Sequence, residues 1–398
     1  MNDLIIASIL TGLIFLAGAL SIEIGISAAV LEVIAGFVAT NFLHVNTTPW
    51  IIYIASSGGI LLTFLAGVEI NIKLLHDKWK ETAIIGGLST LVPAILSFCF
   101  VYFFLHWTID AAKITAIAMS TTSVAVVYTV LIDSGLIEAE LGKVLMAATF
   151  VTDFGAVLAL SILFLKFTIY TFIFLVFCAI LLLIGPKVIH FFFKRYRDRV
   201  IEQEIKLIFF VFFITMLFAE IGKIEAVLPV FILGLIMSDL FEKNHDLVKK
   251  LRTIGFAFIT PFFFINSGMK VALSAVMKNL PLVFSLLFIK IAGKTIGVYP
   301  SLSIMMPKET RRAKIFFVLI KCTGLTFGTI ASIFGFQNGY IDKTQFSVLI
   351  SVILLSAIIP TIIAQKWFSP AKSVKKIIET QKKSIASKHI KLARVGSK

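Results

Sequence analysis

Charge is what this chain has least of. Only 15% of its 398 residues are charged, 59% are hydrophobic, and the mean hydropathy is +1.00. A soluble chain of this length cannot hide that much apolar surface, so a polytopic membrane protein follows. Cysteine is nearly absent. Cys99, Cys178 and Cys322 each fall inside an apolar run, with no CxxC pair and no Cys/His cluster. That leaves a disulfide framework or a metal site unsupported, and the three read as small buried hydrophobes. The six histidines are scattered and form no ligand pair. No nucleophile–base pair or phosphate loop is visible, which argues against an enzyme and against a bound cofactor.

Acidic residues are also few, 22 against 37 Lys and Arg, for a net charge of +15. The bases do not gather on one face of a soluble domain. They cluster in loops between apolar runs, as membrane topology demands, so nucleic acid is not the expected partner. Lys73, Lys78 and Lys80 follow the third run, and Lys187, Lys194, Arg195, Arg197 and Arg199 the seventh. Lys243, Lys249, Lys250 and Arg252 follow the ninth, and Lys308, Arg311, Arg312 and Lys314 the eleventh. The alternate loops carry one to three bases each, such as Lys113, Lys166 or Lys343.

Runs of about 20 apolar residues, each long enough to span a bilayer, lie near 4–22, 24–43, 50–68, 82–104, 111–132, 141–165, 168–190, 205–222, 224–240, 254–272, 279–299, 312–335 and 345–366. The expected fold is therefore all-α, with about thirteen transmembrane helices. The first run follows Met1-Asn2-Asp3 with no basic stretch and reads as a retained helix rather than a signal peptide. The loop charges place the N-terminus outside and the C-terminus in the cytoplasm of a multi-pass cell-membrane protein, an inner-membrane protein in a bacterium. The segment 369–398 is strongly basic and suits contact with anionic membrane lipid.

One aspartate breaks the apolar pattern. Asp153 sits in the middle of Leu141–Leu165, about 18 Å along a helix from either end. A carboxylate at that depth costs several kcal/mol and by default marks an ion or proton pathway. With the adjacent Thr152 it can coordinate a small hard cation such as Na⁺ through oxygen, and it can bind a proton instead. Competition for one site is enough for antiport. The bland alternative is a structural aspartate bonded to a broken helix.

Two runs look interrupted. The fifth reads AMSTTSVAVV, with Ser120, Thr121, Thr122 and Ser123 in succession, and the twelfth reads LIKCTGLTFG, with Thr323, Gly324, Thr326 and Gly328. Adjacent small hydroxyls weaken a helix through competing local hydrogen bonds. The two lie seven spans apart, so the halves have opposite orientation. Broken helices at matching places in inverted repeats point to a transport site at the midplane, with Thr122 and Ser123 among its ligands.

Buried cations are the remaining signal. Lys290 lies mid-span in LVFSLLFIKIAGKTIGVY and must pair, lose its proton or face water. It can offset the carboxylate, neutralise helix ends, or form a purely structural pair. Lys294, a turn further along, is expected to snorkel. Lys321 precedes the Thr323-Gly324 break, where it can neutralise carbonyl ends or repel cations. Glu32, mid-span in the second run, must face a cavity or a partner helix and reads as structural. Glu69, Asp133 and Glu220 lie near span ends and read as wetted.

These features together resemble the monovalent cation:proton antiporter superfamily, in particular its second cation:proton antiporter family. The residues that carry the resemblance are LLTFLAGVEI (61–70), Thr121–Ser123, Thr152–Asp153, PFFFINSGMKV (261–271) and the IKIAGK of the eleventh run, in that order along about residues 4–368. The resemblance implies a transmembrane antiporter domain over residues 1–368, an inverted-repeat fold with two crossed broken helices. It implies a core from spans near 82–165 and 279–366, a scaffold that dimerises from spans near 4–68 and 205–272, and a linker near 168–190. It implies elevator-like movement of the core, Asp153 as the ion-binding aspartate, and Lys290 as the lysine of the electrogenic members. Where such members carry a second acid, this chain has Thr152. A single carboxylate then implies electroneutral exchange of one cation for one proton. The expected cargo is Na⁺ or Li⁺ against H⁺, in the service of pH homeostasis. A K⁺/H⁺ antiporter, a sodium-coupled organic-anion symporter, and a channel or sensor that binds the ion without turnover remain open.

Overall fold

The computed structural model describes residues 2–24, 27–68, 78–134, 136, 139–164, 169–196, 202–222, 226–242 and 245–370. The basic tail beyond 370, Lys73, Lys166, Arg197, Arg199, Lys243 and Glu69 lie outside the described residues, as do the side chains of Asp133 and Lys194.

The described secondary structure is helical throughout, as an apolar chain requires when its backbone has no water to bond. In order, the helices are α1 (Asp3–Ile24), α2 (Ala28–Asn41), α3 (Pro49–Val68) and α4 (Trp79–Cys99, extended by a π turn over Phe100–Phe104). A broken pair follows, α5 (Ile109–Ser120) and α6 (Val124–Asp133). Then come α7 (Glu140–Leu163), α8 (Ile169–Tyr196), α9 (Gln203–Gly222) and α10 (Val227–Glu242). A π turn over Gly255–Ile259 joins α11 (His245–Ile254) to α12 (Thr260–Met269), and the short α13 (Leu273–Lys278) leads into α14 (Leu280–Met305). The second broken pair is α15 (Arg311–Lys321) and α16 (Leu325–Gln337), and α17 (Lys343–Ile363) closes the bundle with a last π turn. Eight described segments are long and apolar enough to cross a membrane, while α2 and most of α10 are shorter apolar helices.

Both expected interruptions are present. The fifth run breaks at Thr121–Ser123 and the twelfth at Cys322–Gly324. One expectation needs correction. The basic stretch after the ninth run is a helix and not a loop: α11 places Lys249, Lys250 and Arg252 on an amphipathic turn whose Leu251 is fully buried. Its charge hid a helical period.

The halves repeat in detail. Each broken helix starts from a threonine cap: the Thr108 hydroxyl accepts from Ala111 N, and the Thr310 hydroxyl from Ala313 N, both at 3.2 Å. Two helix pairs close backbone to backbone. Gly36 of α2 lies on the Ile265 carbonyl of α12, and Gly268 of α12 on the Val33 carbonyl of α2. In the same way Gly67 of α3 meets the Phe231 carbonyl of α10, and Gly234 of α10 the Phe64 carbonyl. Small residues permit this approach where lipid offers no hydrophobic drive between helices. Elsewhere α14 packs along α4, with Gly293 against Pro93 and Gly297 against the Leu88 carbonyl.

These contacts leave no room for a methyl group. Gly234→Val should cost about 3 kcal/mol, read as a lower thermal transition of the detergent-solubilised protein. Gly87→Ala meets nothing within 4 Å and should shift stability by no more than about 1 kcal/mol.

Candidate functional site: the crossing of two broken helices

A broken helix exposes carbonyls at one new end and amides at the other. The two breaks lie against each other and exchange these groups. Ser123 N donates to the Thr323 carbonyl. The Thr122 hydroxyl donates to the Lys321 carbonyl at 2.9 Å, and the Thr121 hydroxyl lies 3.1 Å from the Gly324 carbonyl. Ser123 Oγ and Thr326 Oγ1 are 3.2 Å apart. Gly324 cannot be replaced freely, because a Cβ there would meet the Lys290 ammonium at 2.6 Å and the Thr121 hydroxyl.

A lysine stands at each break. Lys294 is fully buried, and its ammonium donates to Ser89 Oγ and Thr122 Oγ1, each at 3.1 Å, and to the Ser120 carbonyl at the end of α5. A cation belongs at a helix C-terminus, where the macrodipole is negative. The snorkelling expected of Lys294 is therefore wrong: the α4–α14 contact carries it into the crossing. Lys321, the last residue of α15, donates to Thr152 Oγ1 at 2.7 Å and to the Ala148 carbonyl of α7 at 3.0 Å. Lys290 is also fully buried, and its Nζ has no hydrogen-bond partner among the described residues. The helix-end role weighed for it belongs to Lys294.

Asp153 is 1% exposed and lies within electrostatic reach of the Lys321 and Lys294 ammoniums. Thr152, expected to be a ligand beside it, is occupied: its hydroxyl donates to the Ala148 carbonyl at 2.8 Å and accepts from Lys321. Thr122 is likewise engaged by Lys294 and the Lys321 carbonyl. The structure thus brings Asp153, Thr152, Thr121, Thr122, Ser123, Lys321, Thr323 and Gly324 to one place. It ties Thr152 and Thr122 to lysines. The hydroxyl pair that stays clear of lysine is Ser123 with Thr326.

Two cavities flank α12 and α16. One, of about 620 Å³, is lined by Ser123 and Thr326 and also by Glu32, Tyr128, Arg252 and Gln365. The other, of about 650 Å³, is lined by Tyr53, Glu220, Asn266, Ile330, Phe334 and Gln337. Phe231 packs between the core and its neighbours, its ring 6.0 Å from Phe154 and 6.2 Å from Phe327. Among the described residues no group of three His, Cys, Asp or Glu could hold a resident metal ion.

A crossing of two broken helices beside a lone buried aspartate is the architecture expected of a cation:proton antiporter, and the comparisons agree. The family described as sodium/hydrogen exchanger, transmembrane, matches residues 9–368. The chain belongs to this family. It is 26% identical over 376 residues to "Probable Na(+)/H(+) antiporter 3" of Methanocaldococcus jannaschii, covering 90% of this chain and 95% of that one. It is 25% identical over 351 residues to "Na(+)/H(+) antiporter NhaS4" of Synechocystis sp., covering 82% and 84%. Its fold is similar to the solved structure of the sodium proton antiporter MjNhaP1 from Methanocaldococcus jannaschii at pH 8, with a TM-score of 0.67 over 93% of this chain and 100% of that chain at 16% identity. The exchanger is thus a multi-pass secondary transporter that couples cation to proton movement, and not an enzyme.

Ser89, Lys294 and Thr326 were the missed members of the crossing. Thr326 and Lys294 were visible as polar residues in apolar runs, but Ser89 carried no signal of its own. The two lysines separate in a stability test. Lys294→Met leaves three acceptors and a helix end without a cation and should cost about 3 kcal/mol or more. Lys290→Met removes a buried unpartnered ammonium and should keep or raise the thermal transition.

Proposed function

We propose that the exchanger carries Na⁺ or Li⁺ against H⁺ through one carboxylate, Asp153. The observation behind this reading is a fully buried acid halfway along α7, beside a crossing where Lys294 caps the end of α5 and Lys321 reaches into α7. The carboxylate lies within electrostatic reach of the Lys321 and Lys294 ammoniums. It takes either a proton or a cation, so each cation released toward one face is replaced by a proton from it. Ser123 and Thr326 supply hydroxyl oxygens on the cavity side, while Thr152 and Thr122 position Lys321 and Lys294. Thr152 stands where a second acid would carry a further proton, which favours electroneutral one-for-one exchange.

The same reading assigns the architecture. About thirteen crossings, with the N-terminus outside, place Arg252 and Gln365 toward the cytoplasm. The cavity that reaches Ser123 and Thr326 is then the inward vestibule, and the cavity at Glu220 and Gln337 the outward one. Helices α4–α7 and α14–α17 form the moving core. Helices α1–α3 and α9–α12 form the scaffold, joined to the core by α8, and this scaffold is the side that meets lipid and a second copy of the chain.

The test is a pH-gradient fluorescence assay in vesicles, with Na⁺, Li⁺ and K⁺ added in turn. Na⁺ and Li⁺ should dissipate the gradient more strongly than K⁺, and Asp153→Asn should abolish the effect. Wild-type turnover in Asp153→Asn would remove Asp153 from the site. In proteoliposomes at fixed ion gradients, an imposed membrane potential should leave the rate unchanged. A strong response to potential would overturn the one-for-one stoichiometry.

A further inference from the structure

Glu32 is the acid that this mechanism does not use. It is the sole ionisable residue of α2, AAVLEVIAGFVATN, and is 6% exposed. No described residue bonds or pairs with it. The α2–α12 contact through Gly36 and Gly268 fixes the helix that carries it. Its carboxyl lines the 620 Å³ cavity whose other walls include Ser123 and Thr326. The one cation on that lining is Arg252, placed over the Tyr128 ring at 5.9 Å.

A buried carboxylate without a protein partner carries the full cost of desolvation, unless a proton or a metal cation joins it. A structural acid in a membrane helix is normally bonded to a neighbouring hydroxyl, amide or carbonyl. Glu32 instead lines a largely apolar cavity that is roomy enough for water and carries a few polar groups. There a monovalent cation can keep part of its hydration and add one carboxylate. Ser123 and Thr326 of the crossing lie on the wall of the same space.

We propose that Glu32 is a second, weaker cation site: a staging carboxylate that holds Na⁺ or Li⁺, or a proton in its place, in the vestibule before transfer to the crossing. This rests on the cation-exchange reading above, and it deepens that reading. Glu32 sits on α2, and the hydroxyls sit in the break before α6 and on α16, so the site is shared between two parts of the fold. If the core moves against the scaffold, the cation is handed on and the staging site is taken apart.

The experiment reads binding and not turnover, so a chain that binds but does not exchange is still informative. The thermal transition of the purified full-length protein is followed against NaCl, with choline chloride as the ionic-strength control. Asp153→Asn should keep a Na⁺-specific stabilisation with a raised half-saturating concentration. The double variant Asp153→Asn with Glu32→Gln should lose it, raising the half-saturating concentration at least about tenfold, a change of about 1.4 kcal/mol. Asp153→Asn with Glu32→Asp should retain part of it, and it covers the case in which Glu32→Gln fails to fold. The proposal is overturned if Asp153→Asn alone shows no response beyond choline, or if either double variant binds Na⁺ as well as Asp153→Asn. If binding follows the expected pattern while vesicles show no exchange, the transport reading fails and this one stands.

Discussion

The structure depends on two broken helices being allowed to end in the middle of a membrane. Unbonded carbonyls at that depth would be prohibitive. The crossing settles them by reciprocity: Thr121 and Thr122 reach across to the carbonyls at the opposite break, and Ser123 N bonds Thr323. Lys294 adds a cation at the Ser120 carbonyl, while Lys321 reaches from the end of α15 to Thr152 and the Ala148 carbonyl. Asp153 lies beside these groups, within electrostatic reach of both ammoniums.

This arrangement gives Thr152 a different meaning. Read alone, a threonine before the aspartate is a missing acid. In place, its oxygen lies between an ammonium and a backbone carbonyl. A second carboxylate there would form a buried ion pair with Lys321, which would compete with cargo for the local field. The hydroxyl instead anchors Lys321 without drawing on its full charge. Solitude of the acid and engagement of the lysine are two sides of one substitution.

Much of the fold was legible because its signals are local. Apolar length marks helices, and runs such as Ser120–Ser123 and Thr323–Gly324 mark breaks. A lone acid in Leu141–Leu165 marks the candidate site. What stayed hidden depends on neighbours distant in sequence. The role of Lys294 is set by the α4–α14 contact, which carries it to Ser120. The occupancy of Thr152 is set by α15. Glu32 was expected to face a cavity or a partner helix, and it lines a cavity, but hydropathy cannot say which other residues share that wall. The α11 helix was obscured because its lysines suggested a loop.

The paired glycines bear on the history of the chain. Asp153 has no acidic counterpart in the other half: Ser356 lies the same number of residues into α17 and bonds only the Ile353 carbonyl. The two helices therefore differ in chemistry at their centres. Gly36, Gly67, Gly234 and Gly268 show the opposite pressure, since each faces a backbone carbonyl of its partner helix. Two copies descended from one duplicated half can diverge in the chemistry they carry. Where their backbones touch, by contrast, the helices tolerate only the smallest side chains.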